Sequence, residues 1–186
     1  MQRLMLAFSG AIASGKSEIC RQTAEKLGWP YVGFGAYIRE YAQAQGKNPR
    51  DRDLLQRLGQ LFVQSDLQAF VNNVLNQAKD WKEKDGIIVD GLRHAEVRLQ
   101  LKTIAEGAGF SFKHIHIELD DDSRQDRAKS RQIEPAMLAR YDSDLTEAQM
   151  SRILPAYADL RLDGLLPPSL MIDEVFRKFE LKTPAA

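Results

Sequence analysis

Eight residues, Gly10-Ala-Ile-Ala-Ser-Gly15-Lys16-Ser17, combine the groups that hold a polyphosphate. A tight turn of this kind aims successive backbone amides at one point, and the first turn of the helix behind it adds partial positive charge there. Gly10 and Gly15 permit that backbone, and Ala11, Ala13 and Ser14 bring further amides to the cradle. Lys16 reaches the outer phosphates as a point charge, while the Ser17 hydroxyl can ligate a magnesium ion that bridges them. The G-x-x-x-x-G-K-S spacing is specific in its context, and here it follows an apolar run and opens a helical pattern. The expected ligand is magnesium with the triphosphate of a purine nucleotide, ATP.

A second set of residues could act on a bound phosphate. Asp90 ends the apolar run Ile87-Ile-Val89 and can hold the magnesium through water if that run neighbours the first; alternatively it is a turn residue before Gly91. Arg124, Arg127 and Arg131 fall at i, i+3 and i+7, so one helix face carries three guanidinium groups whose forked donors suit phosphate oxygens. The competing account is a solvated helix paired with Asp120 to Asp122 and Asp126. Arg39, in Tyr37-Ile-Arg39-Glu40, and Arg93, in Asp90-Gly-Leu-Arg93, follow two predicted strands and can bind a phosphate of the acceptor. His94, His114 and His116 do not resemble a metal site and are read as structural. Cys20 reads as a buried helix residue.

These groups must be positioned by alternating strands and helices. Leu4 to Phe8 is apolar throughout, as in a strand buried on both faces. Lys16 to Leu27 has helical period and ends at Gly28, Tyr31 to Phe34 is a short strand, and Ala36 to Gln45 is a helix. Arg52 to Trp81 reads as one long helix or two consecutive ones, forming a substrate-side flap. Gly86 to Asp90 is a strand, Ala95 to Ala108 a helix and His114 to Leu119 a strand. Asp120 to Ser123 caps the basic helix Arg124 to Arg131. Thr146 to Leu160 reads as helix, Leu170 to Ile172 as a last strand and Asp173 to Phe179 as a closing helix. Such alternation requires a parallel sheet covered on both faces, with ligands at the carboxyl ends of its strands.

The 186 residues, 44% hydrophobic and 28% charged, suit one domain. Lys and Arg number 26, as do Asp and Glu, so no overall field draws the chain to nucleic acid or an anionic membrane. With no long apolar stretch and one cysteine, a soluble, cytoplasmic protein is expected. It is expected to be a monomer or a homodimer, since Arg52 to Trp81 could equally cover a second subunit.

Together the phosphate loop, Asp90-Gly-Leu-Arg93 and the arginine row resemble the P-loop nucleoside monophosphate kinase superfamily. The resemblance implies a three-layer α/β fold with a five-stranded parallel sheet in the order 2-3-1-4-5. It implies a core of residues 1–34, 84–120 and 158–186, a helical acceptor-binding insert over 35–83 and a lid over 121–157. Gly35-Ala-Tyr37-Ile-Arg39-Glu40 looks like the family segment whose arginine grips the acceptor phosphate. Asp90-Gly-Leu-Arg93 looks like the family's aspartate-glycine-(phenylalanine-proline)-arginine motif, one residue shorter. That shortened form is similar to those of dephospho-coenzyme A kinase-like proteins and phage-type deoxynucleoside monophosphate kinases, and Arg57-Leu-Gly59-Gln60 is similar to the latter. The implied activity is transfer of the γ-phosphate of ATP to a nucleoside or deoxynucleoside monophosphate, with Lys16, Asp90 and the three lid arginines catalytic and Gly35, Tyr37, Arg39 and Arg93 binding the acceptor. A hydroxyl acceptor such as dephospho-coenzyme A usually needs a carboxylate base just after the second strand. Gly33-Phe34-Gly35-Ala36 offers none, although Glu40 lies nearby. A nucleotide-dependent regulatory ATPase is the remaining alternative.

Overall fold

The computed structural model describes residues 2–130 and 152–183. At its centre lies β1, Leu4–Gly10, with every residue buried. It is followed by α1 (Lys16–Leu27), β2 (Tyr31–Gly33) and α2 (Phe34–Ala44). Next come α3 (Arg52–Ser65), α4 (Leu67–Leu75), β3 (Gly86–Asp90), α5 (Ala95–Gly107), β4 (Ser111–Glu118) and α6 (Asp121–Ser130). After a helical turn at Leu154–Ala156, β5 (Leu160–Asp163) and α7 (Pro168–Lys178) complete the described chain.

The five strands form one parallel sheet in the order β2-β3-β1-β4-β5, as the resemblance implies. A strand in mid-sheet has helices over both faces, so a fully apolar β1 and β3 are what this architecture selects. On one face α1 and α7 bury Ile19, Cys20, Met171, Ile172 and Val175 against Leu6, Phe8 and Ile88. On the other, α4 and α5 bury Phe70, Val74, Val97 and Leu101 against Met5, Ala7 and Val89. The sheet puts β1 between β3 and β4, so the end of β1 has Asp90 on one side and His116 on the other.

The apolar stretch from Arg52 resolves into two helices because Asp66 interrupts it: its carboxylate accepts from the Ala69 amide (2.8 Å) and starts α4 afresh. Asp51 caps α3 in the same way, accepting from Leu54 (3.0 Å). The helix α4 packs into the main core.

Two expectations near the C-terminal end are corrected. The last strand is Leu160–Asp163, and Leu170 to Ile172 lies inside α7. Leu160, Met171, Ile172, Val175 and Phe176 contribute to the same core; Pro168 opens α7, where its missing amide costs nothing, so the three adjacent apolar residues belong to a helix. Of the expected helix over Thr146 to Leu160, the described residues 152–156 are helical, and the chain then turns so that Leu160 is already in β5. The rest of that expectation lies outside the described residues.

Candidate active site

The loop between β1 and α1 has the tightly turned backbone that a phosphate cradle needs. The Ser14 amide donates to the Ala11 carbonyl (3.2 Å), and Ala13 and Gly15 both take positive φ, 69° and 87°. For Ala13 that conformation is strained, a condition that persists where surrounding structure enforces it. A Cβ at residue 10 would lie 3.0 Å from the backbone oxygen of Ile117 and 2.9 Å from Ser14 Oγ, so the loop closes against β4 only with glycine there. Gly15 caps α1, whose first amides point back into the loop.

This loop forms one wall of a cavity of about 650 Å³. The other walls come from Tyr31, from α2 (Phe34, Ile38, Arg39), from α3 (Arg52, Leu55, Gln56, Gly59), and from the turn after β3 (Gly91, Arg93, His94). On α3 the lining positions 52, 55, 56 and 59 follow the helical period, so one face of that helix looks into the cavity. Among the described residues, Lys16, Arg21, Arg39, Arg52 and Arg93 line it against only two acids, Glu18 and Asp90. The cavity is therefore built for an anion. Glu40 is exposed and is not among the lining residues.

Asp90 is the acid at the centre. It is buried, one of its carboxylate oxygens is bound by the Lys16 ammonium, and the other accepts from the Tyr31 hydroxyl (2.8 Å). Burial pushes its pKa up, but the Lys16 charge and the hydrogen bonds from Lys16, Ser17 and Tyr31 outweigh that and hold it below the usual carboxylate value. The same surroundings push the Tyr31 phenol well above its ordinary value, burial first and the Asp90 charge second. Asp90 is thus an anion and Tyr31 a neutral donor at neutral pH.

The sequence-predicted residues fall into three groups. Gly10 to Ser17, Asp90, Gly35, Arg39 and Arg93 all line the one cavity. The Arg39 guanidinium lies 3.2 Å from where a Cβ at residue 35 would stand, so Gly35 makes room for it. Tyr37 is set back, packed on Phe62 and Phe70 with its hydroxyl accepting from Asn73 (3.3 Å). Arg124 is buried and bonds Asp121 (3.1 Å), whereas Arg127 donates to the carbonyls of Gly164 (2.7 Å) and Ser14 (3.4 Å). Arg127 thereby ties the phosphate loop to the turn after β5. Arg131 lies outside the described residues. Tyr31, Arg21, Arg52 and Gln56 escaped the sequence reading; the only signal for the last two was the helical spacing of 52, 56 and 59.

The described residues contain no cluster of three or more His, Cys, Asp or Glu able to hold a metal by themselves. The donors that do converge, an exposed Ser17 hydroxyl and an ionised Asp90, are hard oxygens suited to magnesium with phosphate completing the shell. No described helix is long and apolar enough to cross a membrane.

Residues 9–139 match the family model described as the AAA domain. No curated protein matches the chain. Among solved structures, a putative kinase from Chloroflexus aurantiacus is 16% identical with a TM-score of 0.65, over 98% of this chain and 100% of that one. A gluconokinase from Sinorhizobium meliloti is 16% identical with a TM-score of 0.61, over 96% and 94%. A shikimate kinase from Aquifex aeolicus is 19% identical with a TM-score of 0.57, over 95% and 96%. At these identities the likeness establishes the shared fold.

Proposed function

Since the chain belongs to the AAA domain family, we propose that it is an ATP-dependent phosphotransferase whose acceptor is a nucleoside or deoxynucleoside monophosphate. The observation that carries the acceptor class is the charge of the cavity: Arg39, Arg52 and Arg93 enter it from three separate elements. The single buried carboxylate among the described residues, Asp90, is held by Lys16 and Tyr31 with its pKa lowered. An acceptor phosphate is already anionic, so it needs cations to position it and no base to deprotonate it. A hydroxyl acceptor needs a carboxylate of adequate basicity, and a low pKa makes Asp90 a poor one.

In the reaction an oxygen of the acceptor phosphate forms a bond to the γ-phosphorus of ATP while the bond from that phosphorus to the β,γ-bridging oxygen breaks, leaving ADP. Loop amides and Lys16 hold the donor phosphates. Arg39 and Arg93 hold the acceptor in line, with Arg52 on the facing wall. Ser17, and Asp90 through water, would hold a magnesium ion, which would neutralise phosphate charge as the transfer proceeds. Arg127 holds the loop backbone near Gly15, and residues 121–157 act as a lid that excludes water.

The second reading is a hydroxyl acceptor, favoured by the kinase names borne by two solved structures of this fold, a shikimate kinase and a gluconokinase. ADP release from magnesium-ATP, measured with a panel of nucleoside and deoxynucleoside monophosphates alongside dephospho-coenzyme A, shikimate and gluconate, decides between them. Stimulation by a monophosphate alone is the expected result. Stimulation confined to the hydroxyl compounds overturns it, and slow hydrolysis indifferent to every acceptor points to a regulatory ATPase.

A further inference from the structure

On the far side of β1 from Asp90 lies a second buried polar cluster that no step above uses. In register, Ser9 on β1 pairs with His116 on β4 and Ala7 with His114, so Ser9 and both imidazoles share a sheet face. Ser9 Oγ lies 2.7 Å from His114 Nε2 and 2.7 Å from His116 Nδ1. All three residues are buried. On the outer side of His114, Arg98 of α5 donates from Nε to Nδ1 (3.3 Å).

The direction of every bond in this chain follows from one end. A guanidinium only donates, so a neutral His114 held by Arg98 accepts at Nδ1 and carries its proton on Nε2. The Tyr157 carbonyl, which would accept from the charged ring, takes its hydrogen bond from Arg98. The Nε2 proton of His114 is donated to Ser9 Oγ. The single hydroxyl proton of Ser9 then has one acceptor left, His116 Nδ1, which places the proton of His116 on Nε2 as well. Burial pushes His114 down to about 3, with the Arg98 and His116 charges acting the same way, and pushes His116 down to about 4. Both rings are therefore neutral at pH 7, as the chain requires.

The two ends of this chain belong to parts of the molecule that catalysis must coordinate. Ser9 is followed by Gly10, the first residue of the phosphate cradle. Arg98 also donates to the Tyr157 carbonyl (2.9 Å), and the His114 backbone is held from the same segment, its amide donating to the Asp159 carboxylate (2.7 Å) and its carbonyl accepting from the Asp159 amide (2.8 Å). Residues 152–159 span the end of the proposed lid region and lead into β5.

We propose that Arg98, His114, Ser9 and His116 form a one-directional hydrogen-bond chain that positions the phosphate loop according to the placement of the 152–159 segment. The four are positioning residues, acting on donor binding through Gly10, and the inference is independent of the acceptor. A cluster that merely satisfied its own polar atoms would need no fixed direction and would leave nucleotide affinity alone. A direction imposed from one end makes the far ring depend on a residue it does not touch.

The test uses the full-length protein labelled with nitrogen-15. Long-range proton–nitrogen spectra at pH 7 should show both His114 and His116 as Nε2–H tautomers. In Arg98→Ala both rings should become tautomer mixtures, although Arg98 meets only His114, because the chain can then run either way. Calorimetric titration with magnesium and an ATP analogue carrying a non-hydrolysable β,γ link should show Kd raised about fivefold to tenfold in Ser9→Ala and in Arg98→Ala, the scale of one net hydrogen bond. Ser9→Thr, which keeps the hydroxyl, should restore it to within about twofold. An Nδ1–H tautomer at either ring of the unaltered protein overturns the proposal. So does an Arg98→Ala change confined to His114, or a loss of thermal stability in these variants with Kd within about twofold of the parent.

Discussion

Two buried polar clusters flank the end of β1 and solve the same electrostatic problem in opposite ways. On the β3 side, Asp90 and Lys16 keep full charges, with Tyr31 as a neutral donor to Asp90, and the three open onto the cavity. On the β4 side, Ser9, His114 and His116 keep none and are closed off by α5. Removing a charge from water is costly unless it is paired, whereas a neutral chain needs only that each donor meet an acceptor. Charge is retained where an incoming ligand can take over one partner, and discarded where nothing enters. The first arrangement is suited to chemistry and the second to fixing geometry.

The contrast is broken most severely by Lys16→Ala. Phosphoryl transfer should fall by at least about a hundredfold, the usual scale for losing one transition-state charge contact, while circular dichroism stays native. Transfer within a few-fold of the parent would show that Lys16 does not act on the phosphates.

Acid separates the clusters next. Asp90 has a lowered pKa in the fold, so the stability it lends is intact above the unfolded carboxylate value of about 4 and is lost only as pH falls below it. The histidines have lowered folded values of about 3 and about 4 against an unfolded 6.5, so the unfolded chain binds more protons from pH 6.5 downward. Stability should be full above pH 6.5 and decline below it, by about 1.4 kcal/mol per pH unit for each histidine once well below 6.5. Urea unfolding at pH 7, 6, 5 and 4.5 measures this, and His116→Gln should remove one proton's share of the slope. A flat profile between 6.5 and 4.5 would mean that the β4 cluster is not neutral and closed.

Tyr31→Phe gives the smallest effect. It deletes one hydrogen bond to Asp90 and leaves the Lys16 pair, costing about 1 to 2 kcal/mol in urea unfolding at pH 7. The tyrosine should matter less only as pH falls through the lowered Asp90 value and the carboxylate takes up a proton. An equal cost at all pH values would show that Tyr31 contributes packing instead of charge support.

The phosphate loop was legible because its function is a backbone shape plus two side chains, all within eight consecutive residues. The strand order followed from the family resemblance, whereas the apolar run of β1 by itself marked only a strand buried on both faces. What escaped lies across strands. Alternation along His114-Ile-His116 places both rings on one face but is silent about which strand lies alongside, so Ser9 could not be recognised as their partner. Tyr31 reads as a β-former until β3 brings Asp90 within reach. In β5, Leu160-Arg-Leu-Asp163 buries only Leu162 fully, a weaker signal than Leu170-Met-Ile172, of which Met171 and Ile172 lie on the inner face of α7 while Leu170 is exposed. Arg124 and Arg127 were chosen for their spacing, but spacing does not say that one turns inward to Asp121 and the other to two carbonyls.

The ion pair between Lys16 and Asp90 also makes the free protein its own competitor. Asp90 is tethered beside the lysine at a very high effective concentration, so any anion arriving at Lys16 must displace a resident one. An anion that comes without a cation leaves Asp90 buried and stripped of its main partner, whereas one carrying a metal brings the replacement with it. Selection for a metal-complexed polyphosphate over orthophosphate or a bare nucleotide thus begins at the first encounter, before any segment of the chain has to move.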